Sequence, residues 1–569
     1  MFVWTTVLAV FLPALRGGYV DDDLDLLISS PAFAGPAHLW DAVRAPFWGD
    51  DLGYWRPLTS LLMSVGHTLG GGHPWPTHAL AVVAHLGAAT LVFAIFSRFA
   101  IGSGTCALAA AAFALNPCQV ESVAWVAALG DPLAGAATLL SVWGWLRWRQ
   151  SGAVGVPWLA WLGVALALAS KESGITAVGW LIAAEACVAA PPVGRPTAVR
   201  AWGGVFVVVL LWLGLRMLVF GDARAGFDRA SLDTGAHGLH GVALRIHLAA
   251  AFLVLPSGWL GFTPYRWIPP DASGLLGAGL DFAPWLVVLL AAWVTAWRRR
   301  PRALALGVLG TFVAIAPAAL LPQGLGPWPL VDRYAYLVVV GVVAAPLASG
   351  ACRAWLALVV VAASAVASGR LVGEWRDQDR VVARAQRDCP LHPETHYLFG
   401  RLELERAEVA ARAVAGAAAR RDHLRRAALA FRVVQAALRR PLYAGAHLRE
   451  VLGFNARLAE AMAALTGGLR TAAAVAAELE RLAAQRSDSA QVQVMLGVVR
   501  AESGDLARAE TAWRHALDLD AGAHEAAFNL GRLYAGQGRL DDARAMLALA
   551  LHLNPQNSEA LRLLGELPR

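Results

Sequence analysis

The chain changes character near Arg370, as judged from the spacing of its apolar positions. Before this residue, long apolar runs recur with short polar breaks between them. Runs of roughly 17 to 25 apolar residues are long enough to cross a bilayer as a helix. We therefore predict a polytopic transmembrane bundle of about ten to twelve helices, with spans near residues 2–15, 76–96, 104–117, 132–146, 157–170, 174–190, 202–220, 281–297, 303–321, 334–349 and 354–369. Proline breaks the apolar stretch 244–256, which we interpret as re-entrant.

After residue 370 the apolar runs stop and amphipathic patterns begin. A Leu-Gly pair recurs at 496–497, 530–531 and 564–565, and small residues recur at matching positions between these pairs. A 34-residue period with this composition is typical of tetratricopeptide repeats, in which small residues let paired helices touch. The predicted fold is therefore all-α: a transmembrane domain at 1–370, a linker helix at 371–389 and a repeat domain at 390–569.

Polar residues concentrate in a long segment, 16–75, between the first two apolar runs. It contains an acidic cluster at Tyr19-Val-Asp-Asp-Asp23, with Asp25 close behind. Capping of a helix would need only one of these aspartates. Ionisable residues beside hydrocarbon are costly, and their presence indicates a functional site.

Arginines at 98, 147, 149, 195 and 200 fall in alternate loops, which the positive-inside rule places in the cytoplasm. The acidic cluster then faces the other side, together with Glu121, Asp131, Lys171 and Glu172. Each of these four alone could be a helix cap or half of an ion pair. Together they predict a polar cavity, and Lys171 is the only lysine in the chain.

Two arginines are further candidates for binding a phosphate group. Arg56 follows Tyr54-Trp55, and Arg333 precedes Tyr334. For Arg56 the alternative is an arginine that extends to the interface, and for Arg333 it is an ion pair with Asp332. If Arg333 binds the phosphate, we expect Tyr334 and Tyr336 to anchor at the interface.

Composition excludes several classes of protein. With 57% apolar residues and a mean hydropathy of +0.51, the chain is not a soluble protein. Its net charge of +7 comes from arginine-rich loops and an arginine-rich tail, which favours contact with lipid headgroups over nucleic acid. The five cysteines show neither zinc-site spacing nor a disulfide pattern. His237 and His240 could share a helix face, but no carboxylate is placed to complete a metal site with them, so a metal site is not the favoured interpretation of this polar loop.

Several motifs resemble those of the transmembrane and tetratricopeptide repeat-containing O-mannosyltransferases, within the GT-C glycosyltransferases. They occur in order along nearly the whole chain: Tyr54-Trp-Arg-Pro-Leu-Thr59, Asn116-Pro-Cys-Gln-Val-Glu-Ser-Val-Ala-Trp125, Gly130-Asp131-Pro-Leu-Ala134, Ser170-Lys-Glu172, Asp332-Arg-Tyr-Ala-Tyr-Leu337, Glu374-Trp-Arg376 and the terminal repeats. The resemblance implies a polyprenyl-phosphate sugar donor, with mannose as the sugar. It also implies an active site on the outer face of the plasma membrane, with Asp22 and Asp23 as the catalytic pair.

Such a transfer needs a base for the incoming hydroxyl and cations for the departing phosphate. Asp22 or Asp23 suits the first role, and Lys171, Arg333 and Arg56 suit the second. One base opposite one leaving group predicts inversion at the anomeric carbon. We expect the repeats to present a protein or peptide acceptor on the outer side; a divalent cation is left open as a cofactor. A non-catalytic scaffold built on the repeats and a transporter of lipid-linked sugars are the alternatives.

Overall fold

The structure is a computed structural model. It describes residues 2–23, 26–27, 38–47, 53–221, 238–254, 256, 282–320, 332–388, 392–411, 416–438, 446–468, 470–554 and 557–568. This part of the chain is helical, without a β-strand. Its contacts divide the chain near Cys389 into two units, which we call the bundle unit and the repeat unit. Asp25, His237 and Cys389 lie outside the described residues.

The bundle unit contains helices of very different lengths. They are α1 (Phe2–Phe11), α2 (Leu39–Arg44), α3 (Pro57–Leu69), α4 (Trp75–Ser97), α5 (Ser103–Ala114), α6 (Gln119–Ala124), α7 (Gly130–Gln150), α8 (Trp158–Ser170), α9 (Thr176–Cys187), α10 (Arg195–Phe220), α11 (Gly238–Val254), α12 (Ala283–Arg299), α13 (Pro301–Leu320), α14 (Ala345–Ala348), α15 (Ala354–Glu374) and α16 (Gln378–Asp388). Short 3-10 helices at Leu12–Arg16, Val126–Leu129, Glu172–Ile175 and Asp332–Ala335 connect some of them.

Four helical segments in the described residues are long and apolar enough to cross a membrane: Trp75–Ser97, Val126–Gln150, Arg195–Phe220 and Ala354–Glu374. Other apolar helices are shorter than the runs that predicted them. The run 104–117, for example, gives a helix that ends at Ala114, because Pro117 follows and cannot continue it. Apolar length in the sequence therefore overstates helix length where Pro ends the run.

Helices α7 and α8 pack closely because glycine lies at their contact. A Cβ atom on Gly163 would come within 2.5 Å of the backbone nitrogen of Ser141. A Cβ atom on Gly144 would come within 2.7 Å of the Leu159 side chain. Small residues that let two backbones approach are typical of helix contacts in membranes. By contrast, α10 buries only a few residues and exposes leucine, valine and phenylalanine along most of its length.

The segment predicted as a long polar loop, 16–75, contains helices α2 and α3 among its described residues. Its longest helix, α3, buries Thr59, Ser60 and Met63. It contacts α4 and α8, so it is part of the bundle unit's packing. The predicted re-entrant stretch lies partly in α11, and residues 257–281 are outside the described part, so its path stays a prediction.

The repeat unit consists of helix pairs. They are α17 (Pro393–Ala411) with α18 (Ala417–Ala437), α19 (Ala446–Thr466) with α20 (Ala472–Gln485), α21 (Ala490–Glu502) with α22 (Leu506–Leu519), and α23 (His524–Gly536) with α24 (Leu540–Leu553), followed by α25 (Ser558–Glu566). Gly504 and Gly538 turn the chain between paired helices with φ values of +80° and +76°. The periodic glycines let the paired helices touch, as the repeat pattern predicted. A Cβ on Gly497 would lie 2.3 Å from the Trp513 indole nitrogen, and a Cβ on Gly531 would lie 2.7 Å from Leu547.

Candidate functional site

Six of the residues singled out in the sequence form three ion pairs. Lys171 Nζ lies 2.5 Å from Asp131 Oδ1, Arg56 Nε lies 2.9 Å from Glu172 Oε2, and Arg333 bonds Glu121. The partners are far apart in the chain but come from neighbouring ends of helices. We call this set the ionic cluster: Arg56, Glu121, Asp131, Lys171, Glu172 and Arg333.

The end of α8 and the start of α7 position the pair of Lys171 and Asp131. Helix α8 ends at Ser170 because Lys171 adopts an extended conformation. The Ser170 carbonyl oxygen accepts a hydrogen bond from the Thr59 hydroxyl at 2.7 Å. A Cβ on Gly130 would lie 3.1 Å from the same oxygen. Both side chains of the pair are almost fully buried. Burial lowers the pKa of Lys171, while the Asp131 carboxylate acts in the opposite direction.

Glu172 joins the start of α3 to this corner. Its carboxylate accepts one hydrogen bond from the Trp55 backbone N–H at 2.9 Å and one from Arg56 Nε at the same distance. The Arg56 guanidinium also lies over the rings of Phe47 and Tyr54, at 4.7 and 4.9 Å from their centroids. An arginine held on three sides keeps a fixed orientation.

Arg333 pairs with Glu121 rather than with its neighbour in sequence. Its backbone N–H donates to Glu121 Oε2 at 3.2 Å, and its guanidinium donates to the other oxygen. The Cys118 thiol contacts the buried Asp332 instead, at 3.7 Å. The ion pair with Asp332, which was the alternative for Arg333, is therefore not the one that forms. Helix α6 instead brings the Glu121 carboxylate to both the backbone N–H and the guanidinium of Arg333.

Tyr334 links two of the ion pairs. Lys171 Nζ lies 5.3 Å from the centre of its ring, and the Arg333 guanidinium lies 5.1 Å from it. An aromatic ring attracts cations to its faces, so it favours two like charges near each other in a small volume.

Tyr336 is buried and is not the interfacial anchor that we expected. Its hydroxyl lies 2.8 Å from His85 Nδ1, and His85 Nε2 lies 2.9 Å from the Ala114 carbonyl oxygen. A carbonyl can only accept, so His85 carries its proton on Nε2 and the tyrosine hydroxyl donates to Nδ1. A Cβ on Gly135 would overlap the Tyr336 ring, which therefore lies against α7, the helix whose first turn contains Asp131. Histidine thus satisfies the hydroxyl inside the protein.

Residues 17–23, which we call the acidic segment, contact the neighbourhood of the ionic cluster through Asp23. This carboxylate is fully buried and accepts hydrogen bonds from the Val20 N–H at 3.0 Å and from the Ala127 N–H at 2.6 Å. Burial raises the pKa of Asp23 well above its usual range, although the backbone donors act against this shift. Asp22 is only partly buried. Of the predicted catalytic pair, Asp23 holds the segment in place and Asp22 is the more accessible carboxylate.

Two tryptophans flank the acidic segment. Trp125 donates its indole N–H to the Val20 carbonyl at 3.2 Å and stacks on Trp375, with ring centres 5.5 Å apart. The Arg333 guanidinium lies 4.9 Å from the Trp125 ring centre, so this indole contacts both the acidic segment and the ionic cluster. Residues 17–23 are therefore continuous with the cluster through side-chain contacts.

One buried cation near the site was missed in the sequence. Arg216 lies near the C-terminal end of the apolar run that forms α10, and an ionisable residue within such a run is itself a functional signal. Its guanidinium donates to the Gly53 carbonyl at 2.6 Å and lies near the rings of Trp212 and Phe220. Gly53 immediately precedes Tyr54 and Trp55, so Arg216 supports the loop that carries Arg56.

No group of three or more His, Cys, Asp or Glu side chains within metal-binding reach occurs among the described residues. His237 and the side chain of His240 are outside this part of the chain, so the histidine pair considered above stays a prediction. Cys106, Cys118 and Cys187 are buried, and none of them forms a disulfide within the described ranges.

The comparisons with known proteins point in one direction. A tetratricopeptide repeat model matches residues 500–567. Human protein O-mannosyl-transferase TMTC4 is 25% identical over 479 residues, 70% of this chain and 63% of its own length. Protein O-mannosyl-transferase Tmtc2 of Drosophila melanogaster is 33% identical over 194 residues, 31% of this chain and 20% of its own length. The chain thus spans less than two thirds of these relatives.

Among solved structures, YrrB, described as a tetratricopeptide-repeat protein with an unusual peptide-binding site, is 16% identical. The match covers 32% of this chain and 96% of YrrB, with a TM-score of 0.19, which is too low to indicate a shared overall fold. The sequence relatives, the repeat model and the apolar helices together show that the chain is similar to the transmembrane and tetratricopeptide repeat-containing protein O-mannosyltransferases.

Proposed function

We propose that this protein transfers mannose from a polyprenyl-phosphate carrier to a hydroxyl group of a protein, at the non-cytoplasmic face of the membrane. The observation that carries the proposal is the ionic cluster itself. Three cations from distant parts of the chain are held, nearly buried, beside an acidic segment. The names of the curated relatives supply the sugar and the class of acceptor.

The cations of the cluster suit a departing phosphate. A guanidinium has five N–H donors and an ammonium has three. Within the described residues, the Lys171 ammonium has one hydrogen-bond partner, Asp131, and the remaining donors are available to phosphate oxygens. The paired carboxylates keep the cations oriented before the reaction, so little reorganisation is needed as negative charge develops on the leaving group.

Asp22 is the proposed base for the acceptor hydroxyl. It is the partly exposed member of the pair, whereas both oxygens of Asp23 accept backbone hydrogen bonds. The carboxylates at Glu121, Asp131 and Glu172 each retain lone pairs that can accept hydrogen bonds from sugar hydroxyls. A base on one side and a phosphate held on the other lead to inversion at the anomeric carbon.

Charge placement supports an outer location for the site. The cluster is at the N-terminal end of α7, and Arg147 and Arg149 are in its last turn. A 21-residue helix is about 30 Å long, the thickness of a bilayer core. Arginine-rich ends stay in the cytoplasm, so the other end of α7 faces outward. The repeat unit is proposed to bind the protein acceptor.

The test is a transfer reaction with the purified full-length protein in lipid nanodiscs. Polyprenyl-phosphate mannose, glucose and N-acetylglucosamine are supplied in turn with a serine- and threonine-containing peptide, with and without EDTA. We expect mannose transfer with inversion, and its loss in Asp22→Ala. A folded protein that transfers none of the three sugars, or an Asp22→Ala variant with full activity, would contradict the proposal. The EDTA reaction decides whether a divalent cation takes part.

A further inference from the structure

The acidic segment is held from a second side by residues that precede the repeat unit in the chain. The Gly18 N–H donates to the Arg376 carbonyl at 2.8 Å, and the Asp21 N–H donates to Gln378 Oε1 at 2.7 Å. Both acceptors lie where α15 ends and α16 begins. This contact bridges more than 350 residues of sequence.

Asp21 adopts a conformation that needs such support. Its φ angle is +52°, in the left-handed region that non-glycine residues rarely occupy. An L-residue held there is strained by contact between its Cβ atom and the backbone, so the surroundings must favour it. The next two residues are Asp22 and Asp23, and the left-handed turn at Asp21 sets the direction in which they leave.

Gln378 is the side chain that provides this support. It is half-buried, and its amide oxygen is the acceptor that meets the Asp21 N–H. On the opposite side of the segment, Trp125 and the Ala127 N–H hold Val20 and Asp23. The acids are therefore fixed between the start of α16 and the α6–α7 connection.

We propose that Gln378 is a positioning residue of the transferase, which acts through the Asp21 backbone to aim Asp22 at the acceptor hydroxyl. This inference deepens the proposed function and rests on it. Gln378 itself touches neither donor nor acceptor in this scheme. Its loss should therefore lower kcat while leaving the KM for the lipid-linked donor unchanged, since the cations of the ionic cluster are not disturbed.

Two substitutions separate the acceptor atom from the size of the side chain. Gln378→Met keeps the length but removes the oxygen, whereas Gln378→Glu keeps an oxygen that can accept from the Asp21 N–H. Asp379→Asn changes the next residue of the same helix, which is exposed, and serves as the matched control. Hydrogen exchange of peptides covering residues 17–23, measured by mass spectrometry on the full chain, reports the hydrogen bond without reference to activity.

We expect Gln378→Met to speed exchange in residues 17–23 and to lower kcat at least tenfold at constant donor KM. Gln378→Glu and Asp379→Asn should exchange like the unsubstituted protein, and Asp379→Asn should keep its kcat. Unchanged exchange in Gln378→Met, or faster exchange with full kcat, would overturn the inference. If the unsubstituted protein transfers no sugar, the proposed function fails, and exchange alone decides whether Gln378 holds Asp21.

Discussion

The two acids of the proposed catalytic pair should respond differently to the same substitution. Asp22→Ala removes a partly exposed carboxylate, and we expect transfer to fall by about 10² to 10⁴-fold with little change in stability. Asp23→Ala removes the acceptor of two backbone N–H groups, from Val20 and Ala127. The sequence offers no reason to separate them, since the resemblance assigns both to one catalytic pair.

The magnitude for Asp23 follows from its contacts. A buried donor left without an acceptor costs about 1 to 3 kcal/mol, so losing the acceptor for both N–H groups costs about 2 to 6 kcal/mol. Removing a buried carboxylate offsets part of this cost, because its charged form is itself poorly solvated. The net effect remains a destabilised and inactive protein. Asp23→Asn keeps one acceptor oxygen, so its stability should lie between those of Asp23→Ala and the unsubstituted protein.

Apparent melting temperatures of the purified variants, measured by intrinsic fluorescence in the same detergent, provide the assay. We expect the unsubstituted protein and Asp22→Ala to melt together and Asp23→Ala to melt several degrees lower. Hydrogen exchange at residues 126–129 should rise only in Asp23→Ala. If Asp23→Ala melts with Asp22→Ala and its exchange is unchanged, then Asp23 does not hold the acidic segment, and the separation of roles is wrong.

Three further results are expected. Lys171→Met should abolish use of the donor in transfer assays. It should also lower stability by about 3 to 5 kcal/mol, because it leaves Asp131 buried without its cation. Adding Asp131→Asn should restore stability in thermal melts but should not restore activity. Gly497→Ala should destabilise the repeat unit by about 1 to 3 kcal/mol, whereas Gly536→Ala, with open space at its Cβ, should stabilise it by up to about 1 kcal/mol, measured by hydrogen exchange of the full chain. The pKa of Asp23 in the folded protein is raised above the ordinary value of 3.8, so this residue favours the folded state most at low pH and less as the pH rises through the folded pKa. The melting temperature of the unsubstituted protein should therefore fall more steeply with rising pH than that of Asp23→Asn.

The sequence predicted which residues would be brought together better than it predicted their partners. Apolar runs and isolated ionisable residues indicated the helices and the common location of the ionic cluster. The pairing of Arg333 with Glu121 joins residues 212 positions apart, and only the packing of α6 against the 3-10 helix at Asp332–Ala335 determines it. The nearer carboxylate, Asp332, is not the partner of Arg333, because proximity in sequence does not determine the direction of a side chain.

Burial of polar aromatic groups was the other source of error. Tyrosine prefers interfaces when its hydroxyl needs water, and this preference led to the wrong expectation for Tyr336. His85, 251 residues away, replaces that water. In the repeat unit the prediction succeeded because each contact repeats at a fixed interval, so one glycine facing one large side chain identified the next.

Each contact that holds the acidic segment uses a main-chain N–H group. Those of Val20 and Ala127 bond the Asp23 carboxylate, that of Asp21 bonds Gln378, and that of Gly18 bonds the Arg376 carbonyl. Such contacts survive when side chains other than those of Asp23 and Gln378 are exchanged. Substrate preference could therefore be re-engineered by changing the residues that line the approach to Asp22, without moving the carboxylate. A library that varies only these positions, and leaves the anchoring groups intact, should retain folded and insertable proteins across most of its members.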